Sequence, residues 1–200
     1  FLPWNEQFPG IPVPTENIYD IDLLENGDHR NVADKFRYIK TEEIKNILDQ
    51  SRIGLHIAIE NWTHDFNIGS IVRTANAFNV AGVHIIGRKA VNLRGAMMTD
   101  KYLDLNYYKT FSEFEEDFAK PNNLPIYGID CIEGSVSIET TTVPRDVIFL
   151  YGNESDGLTE DAVLICEKVL HINQKGSTRS INAGHAAAIA MYEYTRQFNK

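Results

Sequence analysis

Short apolar runs, each closed by a polar turn, alternate along this chain with segments of helical spacing. LHIAIE (55–60), VHIIG (83–87), LPIYGIDC (124–131), VIFLYG (147–152) and VLHI (169–172) are rich in branched apolar residues and predict strands. Between the first two, Ile68, Ile71, Val72, Ala75 and Phe78 recur at helical spacing behind a polar loop, with Asn67 as a cap and Gly69 permitting close approach near the helix start. TEEIKNILDQ (41–50) places Ile44, Ile47 and Leu48 on one helical face behind a Thr41 cap. FSEFEEDFAK (111–120) sets Phe111, Phe114 and Phe118 against a face of acids, the pattern of a solvated covering helix. NLRGAMMTDKYLDL (92–105) predicts a helix or helical turn ahead of a short YYKT strand (107–110), and AAAIAMYEYTRQ (186–197) predicts a closing helix.

Strand, helix and strand within about 35 residues make a right-handed βαβ unit with a parallel pair. Continued β/α alternation extends this to one parallel-sheet α/β sandwich with helices on both faces. Residues 1–35 carry four prolines (Pro3, Pro9, Pro12, Pro14) and no period, which predicts an extended arm packing on the domain or on a second subunit. The expected division is therefore an arm with a short helix over 1–50 and the α/β domain over 51–200.

The composition of the 200 residues, 43% hydrophobic and 24% charged, is that of a globular domain. Every apolar run falls well short of the roughly 20 residues a membrane helix requires, so no membrane association is expected. No signal-like organisation stands at the start, and the expected location is the cytoplasm. Cys131 and Cys166 lie in apolar stretches without metal-ligand spacing, which predicts buried thiols in a reducing compartment. A net charge of −9 argues against a globally basic nucleic-acid coat, so a nucleic-acid partner must find a local basic patch.

Three polar clusters follow strands: NWTHDFNIGSIVR, GNESDG and NQKGSTRSIN. Parallel strands align their C-terminal ends along one edge, so the three loops converge on one crevice. The two glycines of GNESDG would bring main-chain groups to a ligand. The GxxxxGK[ST] phosphate loop and a strand-following GxGxxG are both missing, which disfavours nucleoside triphosphates and dinucleotides. HExxH and GxSxG are missing too, and no metal is expected. Arg73 lies in an otherwise apolar helix, either paired with a carboxylate such as Glu154 or aimed at a phosphate or developing oxyanion. Ser180 and Asn182 straddle one residue at a helix start, where both capping and site roles suit them.

NxGxxxR in NIGSIVRTANAF, GNExxGL in GNESDGL, and SxN before the Ala-rich helix in SINAGHAAAIAMYEY resemble, in order and spacing, the three motifs of SpoU-type (TrmH-like) RNA 2′-O-ribose methyltransferases of the SPOUT superfamily. The resemblance spans about residues 53–198. It implies an α/β trefoil knot formed by the C-terminal stretch, S-adenosylmethionine as methyl donor with S-adenosylhomocysteine as product, and a homodimer. Cofactor contacts carry over to Gly152, Ile172 and Ile181, with Asp130 as a further position. Catalytic positions carry over to Asn67, Arg73, Glu154, Ser180 and Asn182. Because a guanidine is protonated up to a pKa above about 12, Arg73 is expected to clamp the alkoxide and an adjacent phosphate, oriented by Glu154 and Asn67, instead of removing the proton.

The chain departs from the family pattern where Ile181 replaces Leu, where Ala183, Gly184 and His185 follow Asn182, and where Asn173 stands for Pro. Lys175 and Arg179, with Arg73, Arg88, Lys89 and Arg94, supply the local basic patch that RNA binding requires. The expected activity is 2′-O-methylation of a ribose in tRNA or rRNA. The alternatives are methylation of a base nitrogen, or a catalytically degenerate RNA-binding or assembly module.

Overall fold

The computed structural model describes residues 1–62, 67–88, 91–153 and 156–198. They form two compact units, Phe1–Ser51 and Arg52–Lys200.

The first unit is folded where the prolines predicted an extended arm. It contains α1 (Trp4–Gln7), α2 (Ile21–Asn26), a 3-10 turn (Asp34–Phe36) and α3 (Thr41–Asp49). A buried carboxylate organises it. Asp28 is fully enclosed and receives Nε and Nη2 of Arg30 at 2.9 and 2.7 Å and the main-chain N–H of Tyr38 at 2.9 Å. Burial works to raise the Asp28 carboxyl, but the hydrogen bonds from Arg30 and Tyr38 prevail and hold it at about 2. Tyr38 adopts φ 63° beside this carboxylate. Thr41 opens α3 and is not its cap; its hydroxyl accepts from Arg30 Nη1 at 3.3 Å instead. Ile44 is buried as its spacing predicted, whereas Ile47 remains exposed.

The second unit is a seven-stranded sheet with every recorded pairing parallel. In chain order its elements are β1 (Ile53–Asn61), α4 (Asn67–Ala77), β2 (Val80–Gly87), β3 (Leu105–Tyr108), α5 (Phe111–Phe114), β4 (Ile126–Ile129), β5 (Val136–Ser137), β6 (Val147–Tyr151), α6 (Glu160–Ile165), β7 (Lys168–His171) and α7 (Ala183–Phe198). The spatial order is β3-β2-β1-β6-β4-β7-β5. Strand β6 thus lies between β1 and β4, pairing Ile57 with Phe149 and Ile129 with Tyr151. Successive residues of β6 are buried on both faces, which explains why its sequence is a continuous apolar run without alternation.

Each face of the sheet carries its own core. One packs Ile68, Ile71, Val72 and Ala75 of α4 and Ala187, Ala190, Met191 and Tyr194 of α7 onto Ile57, Ile59 and Phe149. The other packs Phe111 and Phe114 of α5 and Ala162 of α6 onto Ala58, Ile86, Ile148 and Leu150. Thr110 caps α5, accepting from Glu113 N at 3.1 Å, and Thr159 caps α6 in the same way at 3.2 Å. The covering helix predicted over 111–120 widens into a π-turn at Glu115–Ala119, and the helix predicted over 92–105 resolves into 3-10 turns at Arg94–Ala96 and Thr99–Tyr102. The small strand β5 lies in the connection between β4 and β6. Cys131 is exposed and Cys166 half-buried, so the expectation of two buried thiols fails at Cys131.

Candidate functional site

Because the strands run parallel, the segments leaving β1, β4, β6 and β7 emerge at one edge. A cavity of about 500 Å³ opens there, within the range of small-molecule sites. Its walls include all four positions expected to contact a cofactor, Asp130, Gly152, Ile172 and Ile181, together with Ser180. Larger hollows of about 790 and 760 Å³ lie along β5 and β7 and in the first unit, but neither contains a motif residue.

The turn after β6 is built for close approach. Asn153 and Gly157 exchange two main-chain hydrogen bonds of 2.9 Å, folding the segment back on itself. A Cβ on Gly152 would lie 2.1 Å from the carbonyl group of Gly157, and Gly157 holds φ +70°. Both glycines are therefore required sterically. Asp130 fastens this turn to the end of β4, its Oδ2 accepting from Leu158 N at 2.8 Å and its Oδ1 from Cys131 N at 2.6 Å. Buried Glu60, near the end of β1, accepts from the hydroxyl and N–H of Thr159 at 2.5 and 3.2 Å, anchoring the same turn where it enters α6. Burial pushes the Glu60 carboxyl up, and the negative charge of Asp130 adds to the effect.

Of the buried side-chain oxygens without a hydrogen-bond partner among the described residues, three belong to residues lining this cavity: Tyr151 Oη, Asn153 Oδ1 and Gln174 Oε1. Such groups are costly unless something satisfies them, so three of them around one hollow indicate a polar ligand. Burial raises the Tyr151 phenol, keeping it a neutral hydroxyl able to donate. A main-chain-rich turn, isoleucine walls and a few neutral polar groups suit an uncharged heterocycle and ribose such as adenosine.

A side-chain hydrogen bond joins the first and third motifs. Asn182 Nδ2 donates to Asn67 Oδ1 at 2.9 Å, joining positions 115 residues apart. Asn182 also caps α7, its Oδ1 accepting from Gly184 N at 2.9 Å and His185 N at 3.3 Å. The capping and site readings of Asn182 are thus compatible. Gly184 lets α7 close onto α4, since a Cβ there would lie 3.1 Å from Ser70 Oγ. Gly69 does the same for the turn at 94–96, where a Cβ would stand 2.9 Å from Gly95 N. Arg73 is six residues beyond Asn67, about 9 Å along the α4 axis, with its side chain exposed. It does not line the cavity and makes no ion pair among the described residues. Glu154, the partner expected for Arg73, lies outside the described residues, as do His64 and Lys89. No cluster of three metal-ligating side chains occurs among the described residues.

Tyr151, Gln174 and Glu60 did not emerge from the sequence. Tyr151 and Glu60 read as strand residues and Gln174 as one loop polar among several; only their surroundings single them out.

A parallel α/β sheet with a ligand cavity fed by strand-end loops defines the class of protein. Residues 54–192 match the sequence model of the SpoU rRNA Methylase family, more than half of the chain, and the chain belongs to that family. Among its relatives, an uncharacterised tRNA/rRNA methyltransferase of Synechocystis is 26% identical over 88% of this chain. The chain spans only 47% of that protein's length. A tRNA (guanosine(18)-2′-O)-methyltransferase of Borreliella burgdorferi is 24% identical, covering 80% of this chain and 75% of the relative. The SpoU methyltransferase AviRb of Streptomyces viridochromogenes, solved with AdoMet, shares the fold with a TM-score of 0.66 at 24% identity, over 74% of this chain and 62% of its own.

Proposed function

We propose that this chain is an S-adenosylmethionine-dependent methyltransferase that methylates a ribose 2′-hydroxyl in tRNA or rRNA. The observation that carries the proposal is the convergence of Asp130, Gly152, Ile172 and Ile181 on a cavity holding three unsatisfied oxygens, tied to the arginine-bearing helix by the Asn67–Asn182 bond. Family membership and the AdoMet complex of AviRb support the cofactor assignment. When bound, S-adenosylmethionine supplies a methyl group on a sulfonium.

Gly152, Ile172 and Ile181 hold the adenosine through main-chain groups and apolar walls, and Asp130 keeps the glycine turn in place. Asn182 holds Asn67 in position at the start of α4, and Ser180 shapes the reacting pocket at the cavity wall. Arg73 stabilises negative charge on the ribose oxygen and an adjacent phosphate, with Glu154 orienting it. This role needs only a permanently charged guanidinium free to meet the bound RNA, which suits an exposed side chain on α4.

Exposed Arg88, Arg94, Lys175 and Arg179 join Arg73 as phosphate contacts, which makes RNA binding salt-dependent despite the acidic total. The chain pairs with a second copy through α7, where Ile189 and Tyr192 are 43% and 61% exposed. The trefoil knot belongs to the same proposal and is supported by the placement of β6 between β1 and β4. A cytoplasmic setting accords with two unpaired cysteines, and no described helix is long and apolar enough to cross a membrane.

Arg73→Ala tests the enzyme reading. It should bind S-adenosylhomocysteine as the wild type does and lose at least about a hundredfold in methyl transfer to bulk tRNA or rRNA, the scale of one lost oxyanion donor. Unchanged turnover, or wild-type protein that binds no S-adenosylhomocysteine at millimolar concentration, would favour an assembly module.

A further inference from the structure

Of the three unsatisfied oxygens in the cavity, that of Gln174 has the most specific chemistry. A carboxamide carries an acceptor and two donors in one plane, and it complements the edge of adenine, where the exocyclic amine donates beside a ring-nitrogen acceptor. Gln174 lies two residues beyond Ile172, and the walls of the same cavity include Ile129, Ile132, Ile172 and Ile181. A flat base needs apolar walls and one polar group at its edge, and the cavity offers both. Asn153 and Asp156, also in its lining, suit the hydroxyls and charged tail of such a ligand. The buried Oε1 of Gln174 has no protein partner among the described residues, so its own folding gives no reason for a carboxamide at this position.

We infer that Gln174 is a specificity-determining residue that reads the adenine edge of the cofactor, its Oε1 accepting from the exocyclic amine and its Nε2 donating to the neighbouring ring nitrogen. This rests on the cofactor assignment proposed above. It adds a side-chain contact to a site that otherwise grips its ligand through the main chain, so the cavity distinguishes adenine from other purines.

A two-by-two calorimetric titration tests it, using wild-type protein and Gln174→Met against S-adenosylhomocysteine and its analogue lacking the 6-amino group. Wild-type protein should bind the deaminated analogue about tenfold more weakly, the usual scale for leaving one buried acceptor unsatisfied. Gln174→Met should weaken S-adenosylhomocysteine by at least about tenfold and the analogue by a smaller factor, since the analogue loses only the bond from Nε2 to its ring nitrogen. Equal weakening of both ligands by the substitution would make Gln174 structural and overturn the inference. So would wild-type protein that binds the two ligands equally, a result that needs no variant to fold. Wild-type protein that binds neither ligand would refute the cofactor assignment itself, and the inference with it.

Discussion

The turn at Gly152 offers the most sharply defined perturbation. In Gly152→Ala the new Cβ would lie 2.1 Å from both the carbonyl carbon and oxygen of Gly157 and 2.3 Å from Leu158 N, against 3.4 Å or more for an ordinary contact. These are main-chain atoms, so no side-chain rotation relieves the overlap, and the strand-end or residues 157–158 must move by roughly 1 Å or more. Three hydrogen bonds oppose that movement: the reciprocal Asn153–Gly157 pair at 2.9 Å and Leu158 N to Asp130 Oδ2 at 2.8 Å. At about 1 kcal/mol for each neutral bond and somewhat more for the carboxylate, straining them costs about 3 kcal/mol. In a chain of this size that lowers the melting temperature by about 6–12 °C. The same displacement narrows the cavity, so S-adenosylhomocysteine affinity should fall at least about tenfold. Gly176→Ala is the matched control, because nothing lies within 4 Å of its new Cβ. Thermal melting and calorimetric titration of both variants decide the matter. If Gly152→Ala melts within about 1 °C of wild type and binds within twofold, the turn does not shape the site as described.

Asn67→Ala and Asn182→Ala should be coupled in a double-mutant cycle read by urea denaturation, with an interaction energy of about 1 kcal/mol and the larger single loss at Asn182, which also caps α7. Strict additivity would show that the bond carries nothing. A pH dependence should arise at His56 and His84, whose ring nitrogens meet at 3.1 Å beneath Phe114 and Phe118. Burial lowers them to about 4 and about 3, the neighbouring His56 adding to the effect on His84, while Asp146 partly offsets it at His56. The unfolded chain, with histidines near 6.5, therefore takes up protons first as pH falls. Stability is complete above about pH 7 and should drop by up to about 4 kcal/mol at pH 5 from this pair. His84→Gln should flatten that dependence in urea titrations, and an identical slope in both proteins would remove the histidines from the account.

The sheet was legible because VIFLYG is an unbroken apolar run and LHIAIE alternates Leu55, Ile57 and Ile59 with His56, Ala58 and Glu60, and the polar loops that follow them had to sit at one edge. Strand order was not legible. Nothing local in VIFLYG says that it pairs with 55–59 and 126–129. The first 35 residues misled because their organising element is a buried ionic group. The Asp28–Arg30 pair has no hydrophobic period, and the enclosed Tyr38 stands at a positive φ that its side chain does not advertise. The site divides in the same way. Gly152 and Asn182 announced themselves through motif spacing, whereas Tyr151 and Gln174 matter for contacts they do not make, which only three-dimensional surroundings reveal. The Asn67–Asn182 bond lies between two legible residues, yet spans 115 positions that no local pattern bridges.

The position of β6 also governs when this protein can fold. A ribosome delivers β1, β2 and β3 more than 35 residues before the strand that must cover the open side of β1, and β4 has no place in the sheet until β6 fills the gap between them. During that interval Leu55, Ile57 and Ile59 border an unpaired edge, so the nascent chain is exposed to mispairing until β6 has been made. Among the described residues the cavity walls come from residues 129–186, all later in the chain than β3, so the ligand site closes after the early strands have formed. A ligand bound there would stabilise the late step selectively, so cofactor supply during translation should raise the yield of native protein without hastening the early strands.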